Sequence, residues 1–218
     1  MDKITAYMNR RKLSACAGII GPILFVGVFT IEGWLRSGYH PLGMYVSALS
    51  LGTRGWIQIT NFIVFGLLLL LFTLGVASEF KNGKASKAGP LLLLIIAIGF
   101  LFSGPFVMDP MGTLRDQMSV HGTLHGILGG IVFSLMPISC FVFLRRFRED
   151  QKWHFLQRWT LSLGIIITIA VVVLSIVTKL PAVQKSFIDW LGLIQRTAIV
   201  PYMIWLFAFA LGLYKQND

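Results

Sequence analysis

The sequence has little cysteine and little charge. Only two of the 218 residues are cysteine, Cys16 and Cys140, which is too few for a disulfide framework, and we interpret both as small core residues. Charged residues make up 13% of the chain, whereas soluble domains carry about 25%. Hydrophobic residues reach 56% and the mean hydropathy is +0.76. This composition excludes an ordinary soluble domain and indicates an integral membrane protein.

Long apolar runs bounded by charge occur six times along the chain. Each has 18 to 23 residues, which is long enough to cross a bilayer as a helix. The sequence therefore predicts an all-α polytopic membrane protein, a six-transmembrane-helix bundle formed by a single integral membrane domain over residues 1–218. The predicted spans are residues 13–34, 56–77, 89–108, 122–144, 159–177 and 197–214.

Basic residues are distributed unequally between the two sets of loops. Thirteen of them fall on the side of the termini and six on the other, so the positive-inside rule predicts that both termini are cytoplasmic, in a protein of the cell (plasma) membrane. This sorting explains the net charge of +10 without a nucleic acid partner. The thirteen are Lys3, Arg10, Arg11, Lys12, Lys81, Lys84, Lys87, Arg145, Arg146, Arg148, Lys152, Arg158 and Lys215.

Polar residues from several spans gather near the predicted outer face. Such groups at membrane depth cost free energy and usually pair with one another or face a wet cavity. They predict an outward-facing polar pocket that binds or passes a small solute or a lipid headgroup. Glu32 and Arg36 also fit a simple interfacial ion pair, whereas Arg36 or Arg196 would suit a lipid phosphate or carboxylate. The candidate residues are Glu32, Arg36, His40, Ser47, Asp109, His121, His125, Gln195 and Arg196.

The histidine pair is the most specific feature of this set. His121 and His125 are four residues apart, so both rings lie on one helix face and could bind one metal ion such as zinc. Asp109 is one candidate for a third ligand that would leave a position for water. Two alternatives stay open: structural histidines hydrogen-bonded across the bundle, and a proton relay or acid–base pair. The other candidates for the third ligand are Asp116, Glu32 and His40.

Three other features have both a structural and a functional interpretation. Ser47 is a nucleophile if a histidine activates it, or a hydrogen-bonding turn residue. Asp109 precedes a proline and so marks a helix end. Small residues four apart on the fourth span predict close packing against a neighbouring helix. They are Gly122, Gly126, Gly130 and Ser134.

These short motifs, in this order, resemble the bacterial and archaeal membrane proteins of domain-of-unknown-function family 998. The resemblance covers nearly the whole chain and implies a polytopic membrane protein with no assigned activity. It rests on Gly38-Tyr39-His40-Pro41-Leu42, Val46-Ser47-Ala48-Leu49, Gly52, Gly55-Trp56, Asn61-Phe62, Phe106, Asp109-Pro110, Ser119-Val120-His121-Gly122, Leu124-His125 and Gln195-Arg196.

A second resemblance is to the alkaline-ceramidase and adiponectin-receptor-like hydrolases, which bind zinc in the membrane. Ser47, Asp109, His121 and His125 are the same kinds of residue. The histidine pair opens the fourth of six predicted spans here, whereas in those hydrolases it lies on the last of seven. This resemblance implies, as an alternative function, a zinc-dependent hydrolase of a lipid amide or ester. A structural or accessory membrane subunit is the third function that the sequence leaves open.

Overall fold

The computed structural model describes residues 3–216, and within them the surroundings of side chains 11–180 and 182–216. The side chains of Lys3 and Arg10, which the orientation prediction counts, lie outside the described residues. The described chain forms seven α-helices and four short 3-10 helices with no β-strand, which confirms the all-α prediction.

The α-helices follow the predicted spans closely, with one short helix added. The 3-10 helices lie in the connections, at Val46–Ser50, Arg115–Gln117, Gln151–Leu156 and Ile188–Trp190. The α-helices are α1 (Lys3–Leu35), α2 (Gly55–Glu79), α3 (Ala88–Ser103), α4 (Val120–Glu149), α5 (Gln157–Lys179), α6 (Pro181–Ser186) and α7 (Leu191–Lys215).

Five helical stretches of the described chain are long and apolar enough to cross a membrane, where six were predicted. The exception is the predicted span 89–108, whose helix α3 ends at Ser103. Its end was wrong because Pro105 follows, and proline lacks the backbone N–H that would continue the helical hydrogen bonds. The five are Arg11–Leu35, Gly55–Glu79, Val120–Glu149, Gln151–Lys179 and Ile188–Lys215.

The long helices pack in chain order and close a ring, because α7 contacts both α5 and α1. Lys12 lies over the ring of Tyr214, so the start of α1 and the end of α7 share one end of the bundle. We call this the termini end. The opposite end, where the chain passes from α1 to α2, is the loop end.

Phenylalanines fill the interior in two clusters. Toward the loop end, Phe25 packs against Phe65 with ring centroids 4.8 Å apart, and Phe65 packs edge-on against Phe100 at 4.7 Å. Toward the termini end, Phe209 lies 4.8 Å from Phe143 and 5.5 Å from Trp153. Aromatic pairs of this kind add about 0.5–1.5 kcal/mol beyond their buried area. The two clusters are a rigid base for the polar groups at each end.

The small residues of α4 do not form the packed stripe that the sequence predicted. Gly122 is tight, since a Cβ there would lie 2.0 Å from Oδ2 of Asp109. Gly126 and Gly130 have open space where a Cβ would be, and Ser134 is exposed. The prediction was therefore wrong for three of the four positions, because this face of α4 points away from the bundle.

Candidate functional site

The connection between α1 and α2 is fixed at the loop end by a buried carboxylate. Glu32, in the last turns of α1, is only 3% exposed and pairs with two arginines. Its Oε1 accepts from Arg36 Nη2 at 2.9 Å and its Oε2 accepts from Arg54 Nη2 at 2.6 Å. Arg36 begins the connection and Arg54 ends it, so one carboxylate closes both ends of the segment.

Arg36 also binds the middle of the connection. Its Nη1 donates to the carbonyl oxygens of Leu49 and Leu51 at 2.8 and 3.0 Å. Both carbonyls lie at the end of the 3-10 helix Val46–Ser50, where no further N–H of the helix is available to donate to them. Arg36 is therefore more than the interfacial partner of Glu32, because it satisfies backbone groups that would otherwise be unpaired.

Helix α7 holds the same connection from the other side. Nη1 of Arg196 donates to the carbonyl oxygens of Pro41 and Met44 at 2.6 and 3.0 Å, and Nη2 donates to the Tyr39 hydroxyl at 2.5 Å. Gln195 accepts from the backbone N–H of Val46 at 2.8 Å. Gln195 and Arg196, the two candidate residues on α7, thus both bind the α1–α2 connection.

Gly192 permits this close approach of α7 and the connection. A Cβ at this position would lie 2.2 Å from the carbonyl oxygen of Met44 and 2.4 Å from that of Pro41. Any side chain would therefore push the backbone of the connection away from α7. The guanidinium of Arg196, which lies one turn further along, would then lose its carbonyl acceptors.

Tyr39 and Tyr45 lie in this connection, outside the candidate spans. Burial raises the pKa of both phenols, and for Tyr39 the positive charge of Arg196 opposes that rise. Tyr39 donates its hydroxyl hydrogen toward the carbonyl oxygens of Met44 and Tyr45 at 3.2 and 3.0 Å. The neutral phenol is the form that can donate this hydrogen, so burial and hydrogen bonding favour the same state.

Two candidates in the connection have less defined surroundings. His40 is exposed, and its backbone N–H faces the sulfur of Met44 at 3.4 Å. Ser47 is buried on the 3-10 helix Val46–Ser50. Over the described residues, no hydrogen bond joins Ser47 to a histidine. Its roles as a nucleophile or as a turn residue remain predictions.

Asp109 lies over the first turn of α4. Its Oδ2 accepts from the backbone N–H of Ser119 at 2.9 Å, while the Ser119 hydroxyl oxygen accepts from the N–H of Gly122 at 2.9 Å. A carboxylate at this position is favoured by the helix dipole and by the free N–H groups of the first turn. Asp109 is thus bound to the start of α4.

The two histidines connect α4 to the chain that follows α3. His121 Nδ1 is 3.2 Å from the carbonyl oxygen of Pro105, and His125 Nδ1 is 2.7 Å from that of Phe106. A carbonyl oxygen only accepts, so each Nδ1 carries the hydrogen. Because α3 ends at Ser103, these two carbonyls lie beyond the helix, and the histidines satisfy them. These bonds agree with the structural interpretation of the pair, which stays a prediction beside the metal site.

The three predicted metal ligands were His121, His125 and Asp109. Among the described residues, no group of three or more histidine, cysteine, aspartate or glutamate side chains is arranged to hold a metal ion. Metal-binding histidines usually donate Nδ1–H to a carbonyl, as these two do. The zinc assignment therefore stays a prediction that rests on two histidines.

The sequence-predicted residues fall into two groups. Glu32, Arg36, Gln195 and Arg196 hold the α1–α2 connection, whereas the residues from α4 and the chain after α3 form a separate corner. No hydrogen bond or ion pair found within residues 11–216 joins the two groups.

Three buried polar residues near the loop end were missed by the sequence reasoning: Ser50, Gln58 and Asn61. Gln58 is 0% exposed and Asn61 is 3% exposed. The atoms Ser50 Oγ, Gln58 Nε2 and Asn61 Oδ1 have no hydrogen-bond partner within the part of the chain that is described. Leaving such an atom unpaired costs about 1–3 kcal/mol. In the sequence, they could have been recognised because Gln58 and Asn61 are two amides in the first turns of a mostly apolar helix.

The two amides are oriented toward each other but form only one bond. Asn61 Nδ2 donates to Gln58 Oε1 at 3.2 Å and to the carbonyl oxygen of Phe25 at 3.1 Å. A closed pair of amides would form a second bond, from Gln58 Nε2 to Asn61 Oδ1. That second bond is absent between these two described residues, so one donor and one acceptor of the pair stay open. We call Ser50, Gln58 and Asn61 the polar layer.

The polar layer lies between the connection and the phenylalanines of the loop end. Ser50 belongs to the connection, and its carbonyl oxygen would be 2.1 Å from a Cβ at Gly55, in the first turn of α2. Asn61 is followed by Phe62, which packs 5.6 Å from Phe25 and 6.1 Å from His125. Ser50 thus lies against the first turn of α2, and Asn61 lies beside Phe25, whose carbonyl oxygen it contacts.

Two surface recesses lie away from this layer. One, of about 350 Å³, is an apolar groove between α5 and α7 that includes Ile166, Val173 and Leu193. The other, of about 270 Å³, lies at the termini end beside Lys84, Arg146 and Glu149. Neither recess is lined by a residue of the polar layer.

Comparison with known proteins identifies the family of the chain. No curated protein and no solved structure shows significant similarity to it. One family model, described as protein of unknown function (DUF998), matches residues 19–212. The match begins in the middle of α1 and ends in the last turn of α7. It therefore includes both groups of sequence-predicted residues and the polar layer. The chain therefore belongs to the DUF998 family.

Proposed function

We propose that this protein is a six-span protein of the cell membrane that binds a hydroxyl group of a small solute or lipid headgroup in its polar layer. The observation that carries the proposal is the open donor of Gln58 and the open acceptor of Asn61, on two buried amides that are hydrogen-bonded to each other. In this proposal Glu32, Arg36, Gln195 and Arg196 close the layer from outside and do not themselves contact the bound group.

The sixth span of the proposal is α3. Its 16 residues extend about 24 Å at the helical rise of 1.5 Å per residue, against about 30 Å of hydrocarbon. The non-helical chain at 104–108 supplies the remaining length, and the two histidines satisfy its carbonyls, as backbone in a membrane requires. An even number of spans agrees with both termini on the cytoplasmic side.

A hydroxyl is the group that matches the open atoms. It accepts from Gln58 Nε2 and donates to Asn61 Oδ1, which completes the ring of bonds between the two amides. A charged group would lack a counter-ion in the layer, since all three residues are neutral. Water is the smallest molecule with this chemistry, whereas a bound solute or headgroup would bring further hydroxyls toward Ser50.

Charge at the loop end favours an anionic molecule. Glu32 balances only one of its two arginine partners. Arg196 donates to carbonyl and phenol oxygens and lies over the rings of Phe29 and Tyr39, with no carboxylate contact among the described residues. Phosphatidylglycerol, which has a phosphate and free hydroxyls, therefore suits this end better than phosphatidylcholine.

Binding of two probes to the purified full-length protein in detergent tests the proposal. Glycerol stands for a free solute, phosphatidylglycerol stands for a headgroup, and phosphatidylcholine is the reference. We expect one of the first two probes to bind, and the double variant Gln58→Leu, Asn61→Leu to weaken that binding about tenfold or more, because two hydrogen bonds are lost. Isothermal titration calorimetry for glycerol and native mass spectrometry for lipid measure these affinities.

Thr73→Val is the matched control, since Thr73 is buried on the same helix but bonds to the carbonyl oxygen of Leu69. It should leave the binding of both probes unchanged. Glycerol binding that the double variant weakens identifies a solute site in the polar layer, and phosphatidylglycerol binding that the double variant weakens identifies a headgroup site there. If neither probe binds, or if the double variant binds both as the unmodified protein does, the proposal is wrong and the polar layer is a structural feature.

A further inference from the structure

The termini end exposes aromatic side chains beside cations. The 3-10 helix Gln151–Leu156 joins α4 to α5 and lies against the bundle through Trp153, which is fully buried. The carbonyl oxygen of Lys152 accepts from Gln216 Nε2 at 2.8 Å, which attaches the same turn to the end of α7. Phe155 and Trp159 point outward instead, and are 55% and 65% exposed.

Four exposed cations come from the same segment of the chain as these two rings. Arg145 and Arg148 come from the last turns of α4, Lys152 from the 3-10 helix, and Arg158 from the first turn of α5. We call these four residues, together with Phe155 and Trp159, the basic platform. Since Trp153 fixes the turn, the platform is presented by a rigid part of the chain.

The acids of this end are already paired with other cations. Glu149 pairs with Lys84, Asp150 with Arg146 at 2.8 Å, and Glu79 with Arg11. Among the described residues, no carboxylate forms an ion pair with the four platform cations. The platform therefore has a local charge of +4 from these cations, with no neutralising partner in the described chain.

We infer that the basic platform binds the headgroups of anionic phospholipids in the leaflet next to the termini end. The cations contact phosphate groups, while Phe155 and Trp159 insert at the level of the headgroups, where aromatic rings are favoured. A set of exposed cations in one segment with two exposed rings suits a lipid surface, which presents many phosphates above hydrocarbon. The ligand is distinct from the occupant of the polar layer, which lies at the other end of the bundle.

A charge-matched pair of triple variants tests this inference on the full-length protein in detergent. The platform variant is Arg148→Gln, Lys152→Gln, Arg158→Gln. The control variant is Arg115→Gln, Lys179→Gln, Lys185→Gln, which removes three exposed cations elsewhere. Native mass spectrometry during titration with phosphatidylglycerol and phosphatidylcholine gives the preference of each protein for the anionic lipid. All measurements are repeated in the Gln58→Leu, Asn61→Leu background, which removes the binding proposed for the polar layer.

We expect the platform variant to lose the preference for phosphatidylglycerol by about tenfold or more, because each cation near an anionic surface contributes to binding. The control variant should keep it, and added salt should weaken it in the unmodified protein. The Gln58→Leu, Asn61→Leu background should leave it intact. Equal binding of the two lipids by the unmodified protein, or equal losses in the two triple variants, would overturn the inference. Binding of phosphatidylglycerol that the amide variants abolish would place the lipid in the polar layer instead.

Discussion

The two ends of the bundle use their charges in opposite ways. At the loop end, the buried carboxylate of Glu32 pairs with the largely buried Arg36 and the half-exposed Arg54, and Arg196 directs its donors at backbone carbonyls. At the termini end, Glu79, Glu149 and Asp150 pair with Arg11, Lys84 and Arg146, and the four platform cations are exposed with no carboxylate partner among the described residues. The charged side chains of the loop end therefore stabilise the fold, whereas the platform cations of the termini end are accessible to molecules outside the protein.

The largest difference between the ends should appear when one carboxylate is neutralised. Glu32→Gln leaves Arg36 and Arg54 without their buried counter-ion, so we expect a loss of about 3–5 kcal/mol in the free energy of unfolding. Glu149→Gln breaks an exposed pair with Lys84 and should cost about 0–1 kcal/mol. Equilibrium unfolding in mixed micelles measures both values. Equal costs would contradict the assigned difference between the two ends.

A second comparison separates the guanidinium of Arg196 from an exposed cation. Arg196→Gln removes the bonds to Pro41, Met44 and Tyr39, and should cost about 1.5–3 kcal/mol, the range for hydrogen bonds to charged groups. Hydrogen exchange should increase over residues 38–51, because the connection loses its attachment to α7. Lys185→Gln, an exposed substitution, is the control and should change neither quantity. Unchanged exchange in the Arg196 variant would show that the connection does not depend on α7.

Two glycines on α4 distinguish a packed position from an open one. Gly122→Ala forces a Cβ against Asp109 and should cost about 1–3 kcal/mol. Gly130→Ala has open space and should stabilise the helix by about 0.5–1 kcal/mol, because alanine favours a helix more than glycine does. Thermal unfolding of the two variants gives the sign of each effect. The same sign at both positions would mean that Asp109 is not held against α4.

The smallest effect is expected from a chelator. If His121 and His125 serve to satisfy the carbonyls of Pro105 and Phe106, then EDTA should leave the melting temperature unchanged. The variant His125→Ala should lower it, because the Phe106 carbonyl loses its donor. Elemental analysis of protein purified without chelator provides the complementary measurement. One equivalent of zinc that disappears in the His121→Ala, His125→Ala variant would establish the metal site that the sequence predicted.

The sequence was informative about helices and less so about partners. Apolar runs located the helices because the requirement for about 20 apolar residues acts on local composition. The end of α3 required the local geometry of Gly104-Pro105, which an apolar count does not register. The partners of Arg36 and Arg196 are backbone carbonyls of the connection, and no side-chain pattern records where a backbone will lie.

The buried amides also show that the sequence does not reveal how side chains pack. Gln58 and Asn61 lie inside a predicted span, and a run of this length stays apolar enough to be predicted as a span although it contains two amides. Their importance depends on burial and on the bond that they leave open, both of which are properties of packing. Conversely, seven of the nine predicted residues were noticed because they are ionisable, although several of them bond to the protein itself.

A structure of the purified protein in lipid nanodiscs, at a resolution that shows ordered waters, is the most direct test of the polar layer. The proposal predicts density for a solute or headgroup larger than water, with one hydroxyl within hydrogen-bond distance of both Gln58 Nε2 and Asn61 Oδ1. The amides closed directly on each other, or a single water between them, would contradict it.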